Sequence, residues 1–215
     1  MTVRWPVVLF DLDGTLANTI DAIVASYTYT WASVGREVSR DEIIPWIGRT
    51  LKDVFSEQAP DQAEELEARY IEHNMAHLAE LVTGYEGIPE LLVRLDQRGI
   101  KTGIVTAKRR YNAEITMKLA NIPSTTPLLC AMEDCPSHKP HPAPLLKGLA
   151  TISPDTPPEQ AVYIGDAIFD LQAAHRASMS GIGVLWGAGR YEDLHAQVHE
   201  QIVSSIDELS DVLIG

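Results

Sequence analysis

Short apolar runs alternate along the chain with segments whose apolar residues have helical spacing. The first run, Val7–Phe10, is continuous and ends directly before an acid. Continuous runs of this length are typical of parallel strands that are buried on both faces, whereas a half-exposed strand alternates apolar and polar residues. Further strand-like runs follow at four places: residues 101–106, 128–132, 161–164 and 181–186. Because helical segments separate these runs, the pattern predicts an α/β fold with a parallel, right-handed, doubly wound sheet.

The helical segments between these runs lie at about 88–99, 109–120 and 168–177. Gly99 is expected to end the first of them, because glycine adopts the left-handed backbone that terminates many helices. A further helix is expected to start near residues 142–144, since proline is favoured in the first helical turn. The tail, residues 202–213, is predicted to add one strand and a closing helix.

A long helical block separates the first strand from the rest of the sheet. Helix-like spacing starts after Leu16 and continues to about Leu81, with Asn18 or Thr19 as the candidate N-cap. The block has three breaks: Gly35, Pro45 and Pro60. We therefore predict a helical domain of residues 17–81 that is inserted into a core domain of residues 1–16 and 82–215.

The chain has 215 residues, with 17 basic and 30 acidic side chains and a net charge of −13. This acidic balance argues against broad electrostatic binding to nucleic acid or to anionic membranes. No apolar stretch approaches the length that spans a bilayer, and no charged leader with an apolar helix precedes the first strand. Cys130 and Cys135 are the only cysteines, which fits a reducing compartment. We expect a cytoplasmic protein.

Polar side chains follow the ends of several predicted strands. In chain order they are Asp11 and Asp13, Thr106, Lys139, and Asp166 with Asp170. The carboxyl ends of parallel strands meet at one edge of the sheet, where α/β proteins bind their ligands. Together these groups suit phosphoryl transfer, which needs a nucleophile, a proton donor, charge neutralisation and hydrogen bonds to the phosphoryl oxygens.

The acids have distinct expected roles. Asp11, nearest the strand end, is the expected nucleophile, because a carboxylate forms an aspartyl-phosphate that splits hydrolysis into two easier steps. Asp13 is expected to protonate the leaving oxygen and then to deprotonate the attacking water. Two carboxylates so close repel each other, so either a cation neutralises them or one of them carries a proton. A hard divalent cation with oxygen ligands would suit this arrangement. Asp166 supplies a further oxygen ligand for that ion.

Three more residues complete the expected catalytic set. Thr106 is expected to donate its hydroxyl to a phosphate oxygen, and Lys139 to place a compact positive charge beside the phosphate and the nucleophile. Asp170 lies four residues after Asp166 on the same helix face, so it is expected to position Lys139 or a metal-bound water. Each of these residues alone has a commoner structural role, and only their order and their placement at strand ends favour catalysis.

Four motifs occur in order along the chain: Asp11-Leu12-Asp13-Gly14-Thr15, Thr106, Lys139-Pro140, and Gly165-Asp166 with Asp170. In these motifs the chain resembles phosphohydrolases of the haloacid dehalogenase superfamily, and the resemblance covers nearly its whole length. It implies a Rossmann-like core, Mg²⁺ as the cofactor, and Asp11, Asp13 and Asp166 as the metal ligands. It also implies a helical cap inserted after the first motif, similar to the cap of the phosphoglycolate phosphatase branch.

Some segments also resemble bacterial pyrophosphatases of similar length, namely residues 46–51, 80–85 and 103–108. Gly48 and Arg49 lie at a break between predicted helices, where the loop is expected to face the core and Arg49 to bind an anionic substrate. A solvated loop arginine is the alternative. The expected substrate-binding residues are Gly48, Arg49, Thr106, Ala107 and Lys139.

These features favour a magnesium-dependent phosphatase that hydrolyses small phosphate monoesters such as 2-phosphoglycolate through an aspartyl-phosphate. Hydrolysis of inorganic pyrophosphate, a sugar-phosphate mutase and a non-catalytic small-molecule binding module stay open as alternatives. The expected partner is a small phosphorylated metabolite, and the protein is expected to be a monomer or a homodimer.

A second candidate cluster consists of Cys130, Cys135, His138 and His141. Cysteine and histidine both ligate zinc, but this close spacing is not one that structural zinc sites use. The sequence therefore does not favour a zinc site here.

Overall fold

A parallel sheet of six strands forms the centre of this computed structural model, which describes residues 4–215. The described residues form eight strands, of which β2 and β3 make a separate small sheet: β1 (Val7–Phe10), β2 (Ala17–Asn18), β3 (Thr83–Gly84), β4 (Lys101–Val105), β5 (Leu128–Cys130), β6 (Ala161–Gly165), β7 (Ser180–Val184) and β8 (Gln201–Val203). Those of the large sheet lie in the order β5-β4-β1-β6-β7-β8, so the winding direction reverses at β1. Such a reversal opens a crevice at the carboxyl ends of the strands, where ligands bind.

Helices cover both faces of this sheet and also form the block that follows β1. They are α1 (Ile20–Ala32), α2 (Arg40–Ile43), α3 (Leu51–Gln58), α4 (Ala63–Leu81), α5 (Ile88–Gln97), α6 (Arg110–Leu119), α7 (Ala143–Ile152), α8 (Ile168–Arg176), α9 (Tyr191–His195) and α10 (Ile206–Ile214). No helix among these described residues is both long and apolar enough to cross a membrane.

Burial on both faces explains the continuous apolar sequence of β1. Val8 and Phe10 pack into the cluster that holds the apolar residues of α5 and α10, while Val7 and Leu9 join the cluster of α7 on the opposite face. Successive side chains of a strand point to opposite faces, and all four of these are fully buried. Each contributes about 1.5–3 kcal/mol of hydrophobic stabilisation, which fixes the strand that carries the first motif.

The helices α1–α4, here called the cap helices, have an aromatic core of their own. Tyr27 is central to it, with ring centroids 4.7 Å from Tyr70, 5.2 Å from Trp46 and 5.6 Å from Phe55. The ring centroid of Trp31 lies 5.6 Å from that of Phe55. Tilted and edge-on contacts of this kind add to the free energy gained by burying the rings, so the cap helices form one packed unit.

The chain passes between the sheet and the cap helices at two adjacent places. Ala17–Asn18 on the outgoing segment pairs antiparallel with Thr83–Gly84 on the returning one, which gives a separate two-stranded sheet. Gly84 lies tightly against α6, since a Cβ at this position would approach the carbonyl oxygen of Ala120 to 2.8 Å. The entry and exit of the cap helices are therefore joined to each other.

The predicted fold class is confirmed, and most predicted elements occur within a few residues of their expected bounds. Three details differ. The strands β2 and β3 are too short for a periodic signal, α9 was not expected, and Met132 lies in a 3₁₀ turn after β5 rather than in the strand. The domain bounds at residues 16/17 and 81/82 stay a prediction.

The aromatic core of the cap helices yields a stability prediction. Phe55→Ala removes a fully buried ring, so we expect the free energy of unfolding to fall by about 3–5 kcal/mol. Urea denaturation followed by tryptophan fluorescence measures this change, because Trp31 and Trp46 belong to the same cluster. Ser56→Ala, at an exposed position of the same helix, is the matched control and should change stability by less than about 0.5 kcal/mol. An equal effect of both substitutions would contradict the packing described here.

Candidate active site

The first motif forms a tight turn at the carboxyl end of β1. The Asp11 N–H donates to the carbonyl of Ile164 at 2.8 Å, which holds Asp11 against the end of β6. The Leu12 carbonyl accepts from the N–H groups of both Leu16 and Ala17 at 3.0 Å. Gly14 has a φ of 74°, a left-handed backbone that glycine adopts without strain. The turn thus directs the acids of the motif into the crevice of the sheet.

Three acids converge at this edge. Oxygen atoms of Asp11, Asp166 and Asp170 all lie within 4.8 Å of one another, and all three residues are buried. Burial raises the pKa of Asp11 to about 7, with the charges of Asp170 and Asp13 adding to the effect and Lys139 opposing it. Burial, together with Asp170 and Asp11, also holds the pKa of Asp166 well above its usual range. Concentrating negative charge here costs free energy that a bound cation would recover.

Lys139 partly offsets this charge. Its Nζ donates to Asp170 Oδ1 at 2.6 Å and to the Tyr163 hydroxyl at 3.0 Å, and it lies 3.0 Å from Asp11 Oδ1. Burial by itself lowers a lysine pKa, but the carboxylates of Asp11 and Asp170 outweigh it, so the pKa of Lys139 is well above its usual value. Lys139 therefore stays an ammonium ion beside the expected nucleophile.

Tyr163 is a site residue that sequence analysis missed. Its hydroxyl accepts from Lys139 and donates to the carbonyl of Val105 at 2.7 Å, so it connects the lysine to the end of β4. The residue after Val105 is Thr106, another member of the expected set. The available signal was a hydroxyl in the middle of an otherwise apolar strand, since a buried hydroxyl needs a partner.

The residues present fit a hard divalent cation. Oxygen atoms of Asp11, Asp166 and Asp170 converge, and the single ammonium of Lys139, 3.0 Å from Asp11 Oδ1 and 2.6 Å from Asp170 Oδ1, brings one positive charge to three carboxyl groups. A further cation at this point would offset the remaining negative charge. Carboxylate oxygens are the ligands that Mg²⁺ prefers. Asp11 and Asp166 supply them at one point of the structure.

Asp166 is held in place by close packing as well as by hydrogen bonds. Its Oδ2 accepts from the Ala188 N–H at 2.6 Å, and its Oδ1 accepts from the Thr15 hydroxyl at 3.3 Å. Gly14 and Gly187 lie directly against the carboxylate, so that a Cβ at either position would overlap it. Gly187 was not among the predicted site residues, because its role depends on contact with a residue far away in sequence.

Asp13 has a different partner from the other acids. Its Oδ1 is 2.8 Å from Lys108 Nζ, and the group of three converging acids does not include it. Lys108 is also anchored through its backbone, since its N–H donates to the Thr106 hydroxyl oxygen at 3.2 Å. Ligation of a metal ion by Asp13 therefore stays a prediction. The Asp13 side chain lines the cavity at the edge of the sheet.

The cap helices cover this edge of the sheet. Between the cap helices and the sheet edge lies a cavity of about 70 Å³, which is room for a few water molecules. Asp11, Asp13 and Thr106 line it from the core, while Tyr27, Trp46 and Tyr70 line it from the cap helices. Across its rim, Arg109 Nη2 donates to Glu67 Oε1 at 2.6 Å, which joins the start of α6 to α4. The site is thus a small cavity, partly open to solvent, between the sheet edge and the cap helices.

The expected substrate-binding residues all have a place in this cavity except Lys139, which lies behind Asp11 in contact with Asp170. Gly48 has a φ of 88°, and a Cβ there would meet Ala167 at 2.9 Å, so glycine permits the loop to touch the core. Arg49 lines the cavity, but its guanidinium donates to Glu57 at 2.6 Å. Ala107 lines it beside Thr106. The loop of Gly48 and Arg49 therefore faces the core site.

The candidate zinc residues are not assembled into a metal site within residues 4–215. Cys130 and Cys135 are free and buried, and burial raises the pKa of Cys130 to about 11. The only converging group of three or more potential ligands in this described part of the chain is the one formed by Asp11, Asp166 and Asp170.

Comparison with known proteins agrees with this arrangement. The family model described as haloacid dehalogenase-like hydrolase matches residues 8–184. Pyrophosphatase PpaX of Bacillus mycoides is 33% identical over 96% of this chain and 94% of its own length. A haloacid dehalogenase-like family hydrolase from Streptococcus pneumoniae superposes with a TM-score of 0.85, at 25% identity and over 97% of this chain and 98% of its own.

A further crystal structure, described as a predicted phosphoglycolate phosphatase from Haemophilus somnus, superposes with the same TM-score of 0.85 over 99% of both chains. Its identity of 21% supports the fold alone. The family model covers the whole stretch from the first motif to β7, and the PpaX relative extends over almost the entire chain. This chain therefore belongs to the haloacid dehalogenase-like hydrolase family.

Proposed function

We propose that this protein is a magnesium-dependent phosphatase that hydrolyses small phosphate monoesters through an aspartyl-phosphate on Asp11. One observation carries the proposal most directly: the Asp11 carboxylate is buried at the carboxyl end of β1, where its oxygens converge with those of Asp166 and Asp170 and Oδ1 lies 3.0 Å from Lys139 Nζ. A carboxylate fixed beside a cation and a candidate metal site is placed to attack a phosphoryl group, and Asp13 lies two residues away, in the same cavity.

In the first half of the reaction, an oxygen of the Asp11 carboxylate forms a bond to phosphorus while the bond from phosphorus to the leaving oxygen breaks. Asp13 transfers its proton to that leaving oxygen, which departs as an alcohol. The products of this half are the free alcohol, an aspartyl-phosphate on Asp11 and an ionised Asp13.

In the second half, Asp13 takes a proton from a water molecule as the water oxygen attacks phosphorus. The bond between phosphorus and Asp11 breaks, which restores the Asp11 carboxylate and releases inorganic phosphate. Asp13 thereby regains the proton that it gave away in the first half. General acid–base catalysis of this kind contributes about 10²–10⁴-fold in rate.

The remaining residues stabilise charge around the phosphoryl group. Thr106 donates a hydrogen bond to one of its oxygens, and Lys139, fixed by Asp170 and Tyr163, places a positive charge beside the nucleophile. Asp11 and Asp166 would hold Mg²⁺, with Asp13 as the third predicted ligand. When bound, the ion supplies positive charge that reduces repulsion between the carboxylates and the phosphoryl oxygens.

The cavity supports a small substrate. Its volume of about 70 Å³ and its cover of cap helices favour a small substrate over a polymer. Cap closure also excludes bulk water, which strengthens the electrostatic interactions inside. The cytoplasmic location and the monomeric or dimeric state stay predictions from the sequence.

Inorganic pyrophosphate is a second candidate substrate. The relatives that match this chain over most of its length at 33–34% identity are named pyrophosphatase PpaX, and the same nucleophile and acid would serve that reaction. A sugar-phosphate mutase and a non-catalytic binding module also remain open as predictions from the sequence. The following experiment separates these two from the phosphatase and the pyrophosphatase.

We expect the purified protein to release phosphate from 2-phosphoglycolate or pyrophosphate in preference to sugar phosphates and nucleotides in the presence of Mg²⁺. Asp11→Asn should abolish this release, because an amide oxygen does not replace the carboxylate as nucleophile. Asp96→Asn, at an exposed position of α5, is the matched control and should keep wild-type activity. Phosphate is measured with a colorimetric assay, and circular dichroism verifies that each variant is folded.

Undiminished multiple-turnover hydrolysis by pure Asp11→Asn protein would overturn the assignment of the nucleophile. Transfer of phosphate between sugar positions without release would favour the mutase. Binding of phosphorylated compounds without turnover, by folded wild-type protein with Mg²⁺, would favour the binding module.

Metal removal gives a separate prediction. A chelator should reduce phosphate release to background and excess Mg²⁺ should restore it, because the crowded acids need a cation to accept an anionic substrate. A second readout does not depend on turnover: Mg²⁺ should raise the Tm of the wild type by mass action, and Asp166→Asn should lose most of that increase. Full activity in chelator would contradict metal dependence.

A further inference from the structure

Three aromatic rings stack on the surface of the cap helices. His73 and His77 lie one turn apart on α4, and their ring centroids are 4.3 Å apart at an interplanar angle of 25°. Tyr29 of α1 also stacks with His73, at 4.3 Å and 23°. Both histidines are half-buried and Tyr29 is 54% exposed, so solvent reaches the stack. None of the three lines the cavity of the candidate active site, and the proposed reaction uses none of them.

One hydrogen bond fixes the position of the proton on the His77 ring. Its Nδ1 lies 2.8 Å from the backbone carbonyl oxygen of His73. A carbonyl oxygen only accepts hydrogen bonds, so Nδ1 of His77 carries the proton and donates it. A neutral imidazole has a single ring proton. Nε2 of His77 therefore keeps its lone pair.

The position of the proton on His73 follows from the hydrogen bonds of Ser26. The Ser26 hydroxyl donates its only proton to the carbonyl of Ala22 at 2.7 Å. Its oxygen is therefore the acceptor toward Asn74 Nδ2 at 3.2 Å and toward His73 Nδ1 at 3.3 Å. Because His73 Nδ1 has to donate, the lone pair of the neutral His73 ring is also at Nε2. Ser26 and Asn74 are buried, which shields these bonds from water.

Both rings thus have the arrangement in which histidines ligate metal ions. A metal-bound histidine almost always donates its other ring N–H to a carbonyl or another fixed acceptor, which sets the tautomer and the orientation of the ring. Imidazole nitrogen suits zinc, copper and nickel, whereas Mg²⁺ prefers oxygen ligands. The chemistry of this pair therefore differs from that of the carboxylates in the candidate active site.

The spacing of the two rings fits a single shared ion. A zinc–nitrogen bond is about 2.0–2.1 Å long, so two nitrogens on one ion lie at most about 4 Å apart. The rings of His73 and His77 are nearly parallel with centroids 4.3 Å apart, so a small tilt brings both Nε2 atoms within reach of one ion. The Nδ1 hydrogen bonds and the stacking with Tyr29 already order the rings, which reduces the entropy lost on binding.

The charged residues around the pair are compatible with a bound cation. Arg69 lies one turn before His73 on α4, but its charge is compensated by Glu65 at 2.7 Å. Glu80 is exposed and lies three residues after His77. Residues three apart on a helix are neighbours on its surface. The Glu80 carboxylate and water can therefore fill the positions of a tetrahedral site that the two histidines leave open.

We propose that His73 and His77 form a binding site for a divalent transition-metal ion of the zinc and copper class, with Nε2 of each ring as a ligand. His73 is bonded to Ser26 and stacked with Tyr29, and both of these residues belong to α1. An ion that fixes the His73 ring from α4 therefore also strengthens the link between α1 and α4. The site is separate from the Mg²⁺ site of the proposed function and does not depend on it.

Copper(II) tests the site by reporting its nitrogen ligands directly. One equivalent of Cu²⁺ is added to the full-length protein in excess Mg²⁺, at a pH of about 7.5 where an unperturbed imidazole is mostly neutral. Cu²⁺ is the probe because it forms the most stable complexes among the first-row divalent ions. We expect the electron paramagnetic resonance spectrum of the wild type to show hyperfine splitting from two imidazole nitrogens.

Variants assign this signal to the proposed ligands. His73→Gln and His77→Gln should each lose the two-nitrogen spectrum, because one ring remains. Ser26→Ala keeps both rings but removes the acceptor that fixes His73, so Cu²⁺ affinity should fall by about 10–100-fold. His175→Gln, at an exposed position of α8, is the matched control and should keep the wild-type spectrum. Circular dichroism verifies that each variant is folded.

Thermal unfolding with Zn²⁺ gives a second readout. In excess Mg²⁺, Zn²⁺ should raise the Tm of the wild type by mass action, and the double variant of His73→Gln and His77→Gln should lose this increase. The same copper spectrum and the same Tm increase in the wild type and the folded double variant would overturn the site. If the double variant does not fold, wild-type Cu²⁺ affinity in both single variants and in Ser26→Ala would overturn it. Phosphate release without added Zn²⁺ or Cu²⁺ tests the proposed function separately.

Discussion

Repulsion between buried carboxylates is the constraint on which the rest of this site depends. Asp11, Asp166 and Asp170 are held together at the carboxyl end of the sheet, and burial disfavours the ionised forms of Asp11 and Asp166. Such an arrangement persists only because surrounding structure fixes it. Lys139 supplies one positive charge, glycines lie against Asp166, and the backbone of Ala188 donates to it. The unfavourable electrostatics are offset by packing elsewhere, and a bound cation would reduce them.

The fold brings these groups together through the order of its strands. Since β1 is flanked by β4 and β6, the ends of three strands meet at one point. Tyr163 shows how closely these ends are linked, because its single hydroxyl joins Lys139 to the carbonyl of Val105. The cap helices then complete the cavity with aromatic side chains of their own core. Charge is thus concentrated by the sheet, while the helices above it give the cavity its shape and its aromatic lining.

Much of this arrangement was predictable because its signals are local. The buried strand of Val7–Phe10, the acids that follow it and the helical block each have a pattern in neighbouring residues. Lys108 and Tyr163 could not be assigned in the same way, since their partners lie far away in the sequence and their roles depend on distances in the folded chain. The same reason applies to β2 and β3, whose two-residue pairing only exists once the helices between them have folded. Sequence patterns indicate which elements form, whereas side-chain partnerships require the tertiary structure.

The pairing of Ala17–Asn18 with Thr83–Gly84 has an evolutionary consequence. The two ends of the inserted helices are hydrogen-bonded side by side. The chain therefore leaves the core and returns to it at one place, as it does at the two ends of a hairpin loop. The entropy of closing a loop grows only slowly with its length, so an insertion of different size between the same two ends would cost the core little. The architecture therefore allows helices to be lost, gained or exchanged above an unchanged catalytic sheet, and new leaving groups to be accommodated without rebuilding the chemistry beneath.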